Sequence, residues 1–330
     1  MSHKDELKQL ANLARQALGC YALPKDLTVN LINLSENATY KVEDAASGRL
    51  WALRVHRTGY HSRNAIASEI AWLVDLRKKR VVTTPVPVEG LNGQFIQIAN
   101  HPSLADPRHV VLYEWENGHE PDVNNDLRRS FATLGAVTAK MHAHSKSWNR
   151  PPEFERLTWN FETSLGETPH WGRWRDGMGM DTEKLALFRE TVELIRHRLA
   201  HYGEGSDRFG LIHCDLRLAN LLIDDGEVKV IDFDDCGFGW YMYDAATPVS
   251  FYEHLPDVPD LIHHWLKGYK TISEICQADE DEIPTFVMLR RLLLVAWIGS
   301  HRDTDLAKSM GVGYTNDTVG LCEAYLKNFG

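Results

Sequence analysis

The sequence predicts an α+β fold in two parts, a small β-rich N-terminal part and a larger, mostly helical C-terminal part. Three observations carry this. Short apolar or β-branched runs at 27–34, 39–43 and 50–56 are separated by the polar turns Ser35-Glu36-Asn37-Ala38 and Ala46-Ser47-Gly48, the pattern of a β-meander. Helical patterning then dominates the later chain, at 126–145, 183–201, 260–275, 282–300 and 317–329. Inside that helical half lies a compact hairpin signal, two short apolar runs joined by Asp225-Gly226. The division is expected between residues 112 and 113, giving parts 1–112 and 113–330.

The elements follow in order. Leu7, Leu10, Ala14, Ala17 and Leu18 line one face of a helix over 4–18, which Gly19 would stop. The meander comes next, then a helix over 64–76 with Ile66, Ile70, Leu73 and Leu76 inward. Pro85 and Pro87 break the pattern before a second hairpin, expected to pair 88–90 with 95–98 around Leu91-Asn92-Gly93. An apolar strand over 110–115 runs into Glu116-Asn117-Gly118 at the expected boundary. The helix at 126–145 carries Leu127, Phe131, Leu134, Thr138 and Met141 on one face. Residues 148–180 are rich in Trp, Pro and Gly, either a lid or acceptor-binding segment or an irregular loop anchored by its indoles.

Composition narrows the function. A net charge of −10 argues against nucleic acid as a partner, because phosphate-backbone binding needs a basic face. No uninterrupted apolar run reaches the ~20 residues of a spanning helix, and the richest, 292–298, follows Arg290 and Arg291. Those arginines are expected to be ion-paired. The charged N-terminus, MSHKDELKQL, has no signal-peptide core, so no membrane association and a cytoplasmic location are expected. The five cysteines are scattered and form no C-x-x-C pair, against both a disulfide framework and a zinc site.

The stretch 211–239, LIHCDLRLANLLIDDGEVKVIDFDDCGFG, holds the chemistry. A two-residue Asp225-Gly226 turn makes facing residue numbers sum to 451, which sets Asn220 opposite Ile231 and beside Asp232. An amide oxygen next to a carboxylate suits Mg²⁺, a hard cation that takes few protein ligands and completes its shell with phosphate and water. Asp215, on the preceding loop, is left to accept a proton from an acceptor hydroxyl or to hold that hydroxyl in line. Asp234 could assist the metal, bind the acceptor or cap a turn.

His213-x-Asp215-x-x-x-x-Asn220 followed by Ile231-Asp232-Phe233-Asp234 resembles the catalytic and metal motifs of the aminoglycoside phosphotransferase and choline kinase superfamily, relatives of protein kinases. Gly237-Phe238-Gly239-Trp240 and Tyr243-Asp244-Ala245-Ala246 are similar to its continuation, and the resemblance runs from residue 27 to the C-terminus. It implies a two-lobed protein-kinase-like fold and transfer of the γ-phosphoryl group of ATP, with Mg²⁺, to a hydroxyl of a small molecule such as homoserine, choline or another amino alcohol. Asp215 and Asn220 would be catalytic, with Asn220, Asp232 and Asp234 at the metal and Asp244 steadying the site from a following helix.

The same resemblance places the nucleotide. Ser35 and Asn37 sit in the short turn that would cover the phosphates, in place of a glycine-rich loop. Ala52 and Arg54 share a strand face, like the small residue and lysine of kinase strand three, and Glu69 is the candidate to orient Arg54. Arg54 offers a planar fork where a lysine offers a point charge; a plain surface ion pair is the alternative. Backbone groups of Tyr113 to Trp115 would meet the adenine. Two rival functions stay open: a Ser/Thr protein kinase of the bacterial stress response kinase type, and a nucleotide-binding module without catalysis.

Overall fold

The computed structural model describes residues 3–34, 36–102, 104–122 and 126–330. The chain forms two compact units: Met1–Lys79 with Thr83–Asn117 and Arg150–Glu155, and Arg80–Val82 with Gly118–Asn149 and Arg156–Gly330. The units are therefore not separated by a single cut between 112 and 113, since the segment 150–155 returns to the first.

The first unit opens with helix α1 (His3–Ala17), followed by β1 (Thr28–Leu34), β2 (Ala38–Glu43) and β3 (Leu50–Val55), the expected meander. Helix α2 (Arg63–Lys78), β4 (Gln97–Ala99) and β5 (Arg108–Glu114) complete its regular elements among the described residues. The sheet order is β1-β2-β3-β5-β4, antiparallel throughout. Alternation along the strands sends Tyr40, Val42, Trp51, Leu53, Val55, Val110 and Leu112 into one core with Leu10, Leu13, Ala14 and Ala17 of α1. Arg54, one residue out of phase with Leu53 and Val55, projects from the other face.

Of the second hairpin expected at 88–98 only the turn forms, with Gly90 N–H donating to Gln94 O at 2.9 Å, and its two arms do not pair as strands. Two pieces share the outer edge of β5 instead: Pro87 bridges Tyr113 and Val88 N–H donates to Leu112 O, while β4 pairs with 108–110. Pro87 has no N–H, so this piece cannot supply a full ladder to a neighbouring strand.

The second unit contains α3 (Arg128–Ser147), β6 (Leu157–Trp159), α4 (Phe161–Ser164), α5 (Thr182–Tyr202), β7 (Phe209–Ile212), β8 (Leu221–Asp224), β9 (Glu227–Val230), β10 (Gly237–Trp240), α6 (Tyr243–Ala246), α7 (Val258–Lys270), α8 (Gln277–Ser300) and α9 (Asp305–Phe329). β10 lies between β6, parallel, and β7, antiparallel. α3 and α7 pack with their backbones almost touching. A Cβ on Gly135 would sit 1.9 Å from the Trp265 carbonyl oxygen, and one on Gly268 would sit 1.7 Å from that of Ala132. α8 is long and apolar enough to cross a membrane by composition, which the reading of contiguous apolar runs did not anticipate. Within its unit 83% of its apolar window is buried, against α5, α6 and α9. It is a core helix.

Candidate functional site

β8 and β9 pair as Leu221↔Val230, Leu222↔Lys229, Ile223↔Val228 and Asp224↔Glu227, each pair summing to 451. Asp225 (φ 47°) and Gly226 (φ 82°) both take positive φ, as a two-residue primed turn requires. One step beyond the ladder, Ile231 N–H donates to Asn220 O at 3.0 Å, so Asp232 follows directly on the residue bonded to Asn220.

Asp215 is 6% exposed and is held from three sides. Asn220 Nδ2 donates to Asp215 Oδ2 at 2.8 Å and to the Asp215 carbonyl at 2.8 Å. Arg217 Nε donates to Oδ2 at 3.1 Å, and Arg290 Nη2 donates to Oδ1. Burial pulls the Asp215 carboxyl up, but the positive fields of Arg217 and Arg290 outweigh it and leave the group below its ordinary 3.8. The carboxylate is ionised.

The loop carrying Asp215 is built on an unusual backbone. Cys214 has φ 68°, a left-handed conformation that costs a non-glycine residue of order 1–2 kcal/mol. It persists because Asp244, wholly buried, accepts from the successive N–H groups of His213 (3.1 Å) and Cys214 (2.9 Å). His142 Nε2 donates to the same carboxylate at 3.1 Å, and its Nδ1 meets Tyr269 Oη at 3.0 Å. Thr247 Oγ1 accepts from Leu216 N–H at 3.0 Å and extends the support. Asp244 therefore fixes the loop from beneath.

The His213 ring is fully buried, which lowers its pKa although Asp244, Asp215 and Asp232 pull the other way. Its Nε2 faces the Ile231 carbonyl at 3.2 Å, an acceptor only, so Nε2 carries the proton and Nδ1 accepts from Asp215 N–H at 3.2 Å. A neutral imidazole thus ties the Asp215 loop to the return strand.

Asp232 is half-buried and left-handed (φ 60°), which turns the chain into the 3₁₀ segment Phe233–Asp235. Arg156 holds that segment: its Nη2 donates to Asp234 O and its Nε to Cys236 O at 2.6 Å. Trp159 Nε1 donates to Asp235 O at 2.9 Å. Asp234 is 5% exposed. Among the described residues no group of three or more His, Cys, Asp or Glu side chains converges as a metal cage. The oxygen donors at the hairpin are the sparse Asn and Asp set that suits Mg²⁺ sharing its shell with phosphate and water.

In the first unit Arg54 Nη1 donates to Glu69 Oε1 at 2.8 Å, with side chains 11% and 1% exposed, and its guanidinium lies 5.8 Å from the Tyr113 ring. This is a buried pair, so the surface-pair alternative is excluded. Asn37 is buried and its Oδ1 accepts from Arg57 N–H at 3.0 Å, which pins the turn to the exit of β3. Ser35 lies outside the described residues. Tyr113 is buried within β5 and pairs with Ala52 of β3, and Glu114 N–H donates to Val86 O at 2.8 Å, so both residues have backbone groups engaged within the sheet. Trp115, just past the strand, is half-buried with Lys41 Nζ 6.0 Å from its ring.

The Trp-rich segment is not one irregular loop, since it carries β6 and α4, but its indoles do anchor it. Trp159, Trp171 and Trp174 are 3%, 5% and 1% exposed, and the first two meet edge to face at 5.0 Å. Sequence reasoning missed Arg217 and Arg156 as supports of this region, and it expected Arg290 to be ion-paired without naming Asp215 as the partner. Arg290 had one available signal: an arginine within an all-round apolar helix needs a buried partner.

A model of the phosphotransferase enzyme family matches residues 29–275. The structure is similar to that of a microcompartment-associated aminopropanol kinase, with a TM-score of 0.89 and 44% identity over 97% of this chain and 98% of that one. The sequence is 26% identical to amicoumacin kinase of Bacillus subtilis (strain 168), over 96% of this chain and 94% of that protein. A choline/ethanolamine kinase family protein from Mesorhizobium loti shares the fold, with a TM-score of 0.64 at 13% identity over 98% and 95% of the two chains.

Proposed function

We propose, for a chain that belongs to the phosphotransferase enzyme family and is a kinase of hydroxyl groups, that the acceptor is a short amino alcohol of the aminopropanol type. The observation that carries this is the 44% identity over almost the whole chain to an aminopropanol kinase. Homoserine and choline, the acceptors first expected, have no such support.

In this reading Asn220 Oδ1 and the Asp232 carboxylate would hold Mg²⁺, which would neutralise charge on the ATP phosphates. Asp234 is the acid available to the same cation or to the acceptor's ammonium group. Arg54, oriented by Glu69, grips phosphate oxygens; Asn37, with Ser35, shapes the covering turn; backbone groups around Tyr113 and Trp115 receive the adenine. Asp215 accepts a hydrogen bond from the acceptor hydroxyl and aligns its oxygen for attack on the γ-phosphorus. Positioning of this kind is most of what a loose phosphoryl-transfer transition state asks of a protein. The hydroxyl proton leaves towards Asp215 as the new P–O bond forms, and ADP departs with the electrons of the broken bond.

Only four residues separate Asp232 from β10 at Gly237, leaving little chain for a protein-kinase activation segment, so the protein-kinase rival is not favoured. The scattered cysteines are free thiols, which fits a cytoplasmic site of action. The test is ³¹P NMR of ATP and Mg²⁺ with aminopropanol, ethanolamine, choline and homoserine in parallel. A phosphate monoester forming with the highest kcat/KM on aminopropanol is expected. Transfer into protein alone, or a clear preference for choline or homoserine, would overturn the reading.

A further inference from the structure

The Arg290 guanidinium, buried in α8, is engaged on all three nitrogens by residues of the second unit. Nε donates to Ser250 Oγ at 2.9 Å, Nη1 to Tyr243 Oη at 3.3 Å and Nη2 to Asp215 Oδ1. Ser250 Oγ in turn donates to Thr247 O at 2.7 Å. The guanidinium carbon also lies 5.3 Å from the Trp171 ring. Its side chain is 2% exposed, whereas that of Arg217, the other cation on Asp215, is 24% exposed. One arginine is built in; the other reaches solvent.

An ionised carboxylate offers about four lone-pair positions. In Asp215, Asn220 and Arg217 occupy Oδ2 and Arg290 occupies one position on Oδ1. The position left lies on Oδ1, the oxygen that Arg290 holds. We propose that Arg290 is a positioning residue: by fixing Oδ1 from behind, it aims the remaining lone pair of Asp215 at the acceptor hydroxyl. The assignment rests on the role given above to Asp215. Arg290 touches no substrate in this scheme and acts only through that carboxylate. A planar fork is required because a lysine cannot reach Ser250, Tyr243 and Asp215 together.

The test compares wild type, Arg290→Lys, Arg290→Ala and Asp215→Asn, each checked for folding by circular dichroism, with aminopropanol and ATP as substrates. Misaiming a reacting group by about 1 Å costs on the order of a hundredfold in rate. Arg290→Ala is expected to lose kcat by about that factor, with the KM for ATP unchanged, and to regain part of it in added methylguanidinium. Should the alanine variant not fold, Arg290→Lys carries the test, with kcat reduced at least about tenfold and an unchanged KM for ATP. A folded Arg290 variant with kcat within about twofold of wild type overturns the inference while Asp215→Asn stays inactive. A loss of kcat matched by an equal rise in the KM for ATP, with no methylguanidinium rescue, also overturns it. An Asp215→Asn variant as active as wild type would overturn the role of Asp215 itself.

Discussion

Asn220 turns its amide nitrogen onto Asp215, 2.8 Å from both the Oδ2 oxygen and the main-chain carbonyl. Both neighbours are acceptors only, so the NH₂ must face them and the amide oxygen must point the other way. One side chain thereby holds the carboxylate and leaves its oxygen for the Mg²⁺ role proposed above. Asn220→Asp would replace a donor with a second acid against Asp215. A hydrogen bond to a charged group is worth ~1.5–3 kcal/mol, so kcat should fall by about tenfold to a hundredfold, measured in a coupled ADP-release assay.

Asp215→Ala removes the group given to the acceptor hydroxyl. Turnover is expected to drop by about a hundredfold to ten-thousandfold, while MgATP affinity by calorimetry stays near that of wild type. Unchanged ATP consumption with the acceptor present would contradict the assignment.

Asp232→Ala should leave nucleotide binding weak and insensitive to Mg²⁺. A thermal-shift titration reads this directly: wild type gains stability with MgATP over ATP alone, and the variant does not. An undiminished Mg²⁺ response would move the metal site elsewhere.

Asp244→Ala leaves the N–H groups of His213 and Cys214 buried without their acceptor. At ~1–3 kcal/mol for each orphaned donor, a loss of about 3 kcal/mol or more in urea unfolding is expected, together with lost activity as the Cys214 backbone relaxes.

His142 supplies a pH dependence. Burial lowers its pKa below the ordinary 6.5 although Asp244 pulls it up. The unfolded chain therefore binds a proton that the native state refuses, and stability rises with pH where the two differ. Its contribution is complete above pH 6.5 and is lost as pH falls from there through the native value. The urea midpoint should decline between pH 7.5 and 5.5, and less steeply in His142→Gln.

Gly135→Ala drives a methyl group into the Trp265 carbonyl. The α3–α7 contact must open, at a cost of about 1–3 kcal/mol, read as a lowered unfolding midpoint.

Local signals carried the meander, the long helices and above all the β8–β9 hairpin, because a turn with two positive φ angles admits one register and that register determines what lies beside Asn220. The Arg54–Glu69 pair was legible too, since a strand of period two and one helix leave few partners. Tertiary structure alone decided the rest. Arg290 and Asp215 are 75 residues apart, and no periodicity links a mid-helix arginine to a particular loop carboxylate. Only packing α8 against α6 brings a buried cation under the Asp215 loop, and burial then compels the charges to pair. The shared edge of β5 has a similar origin: Pro87 and β4 each look like half of a hairpin, and competition for one row of backbone groups settles where each pairs.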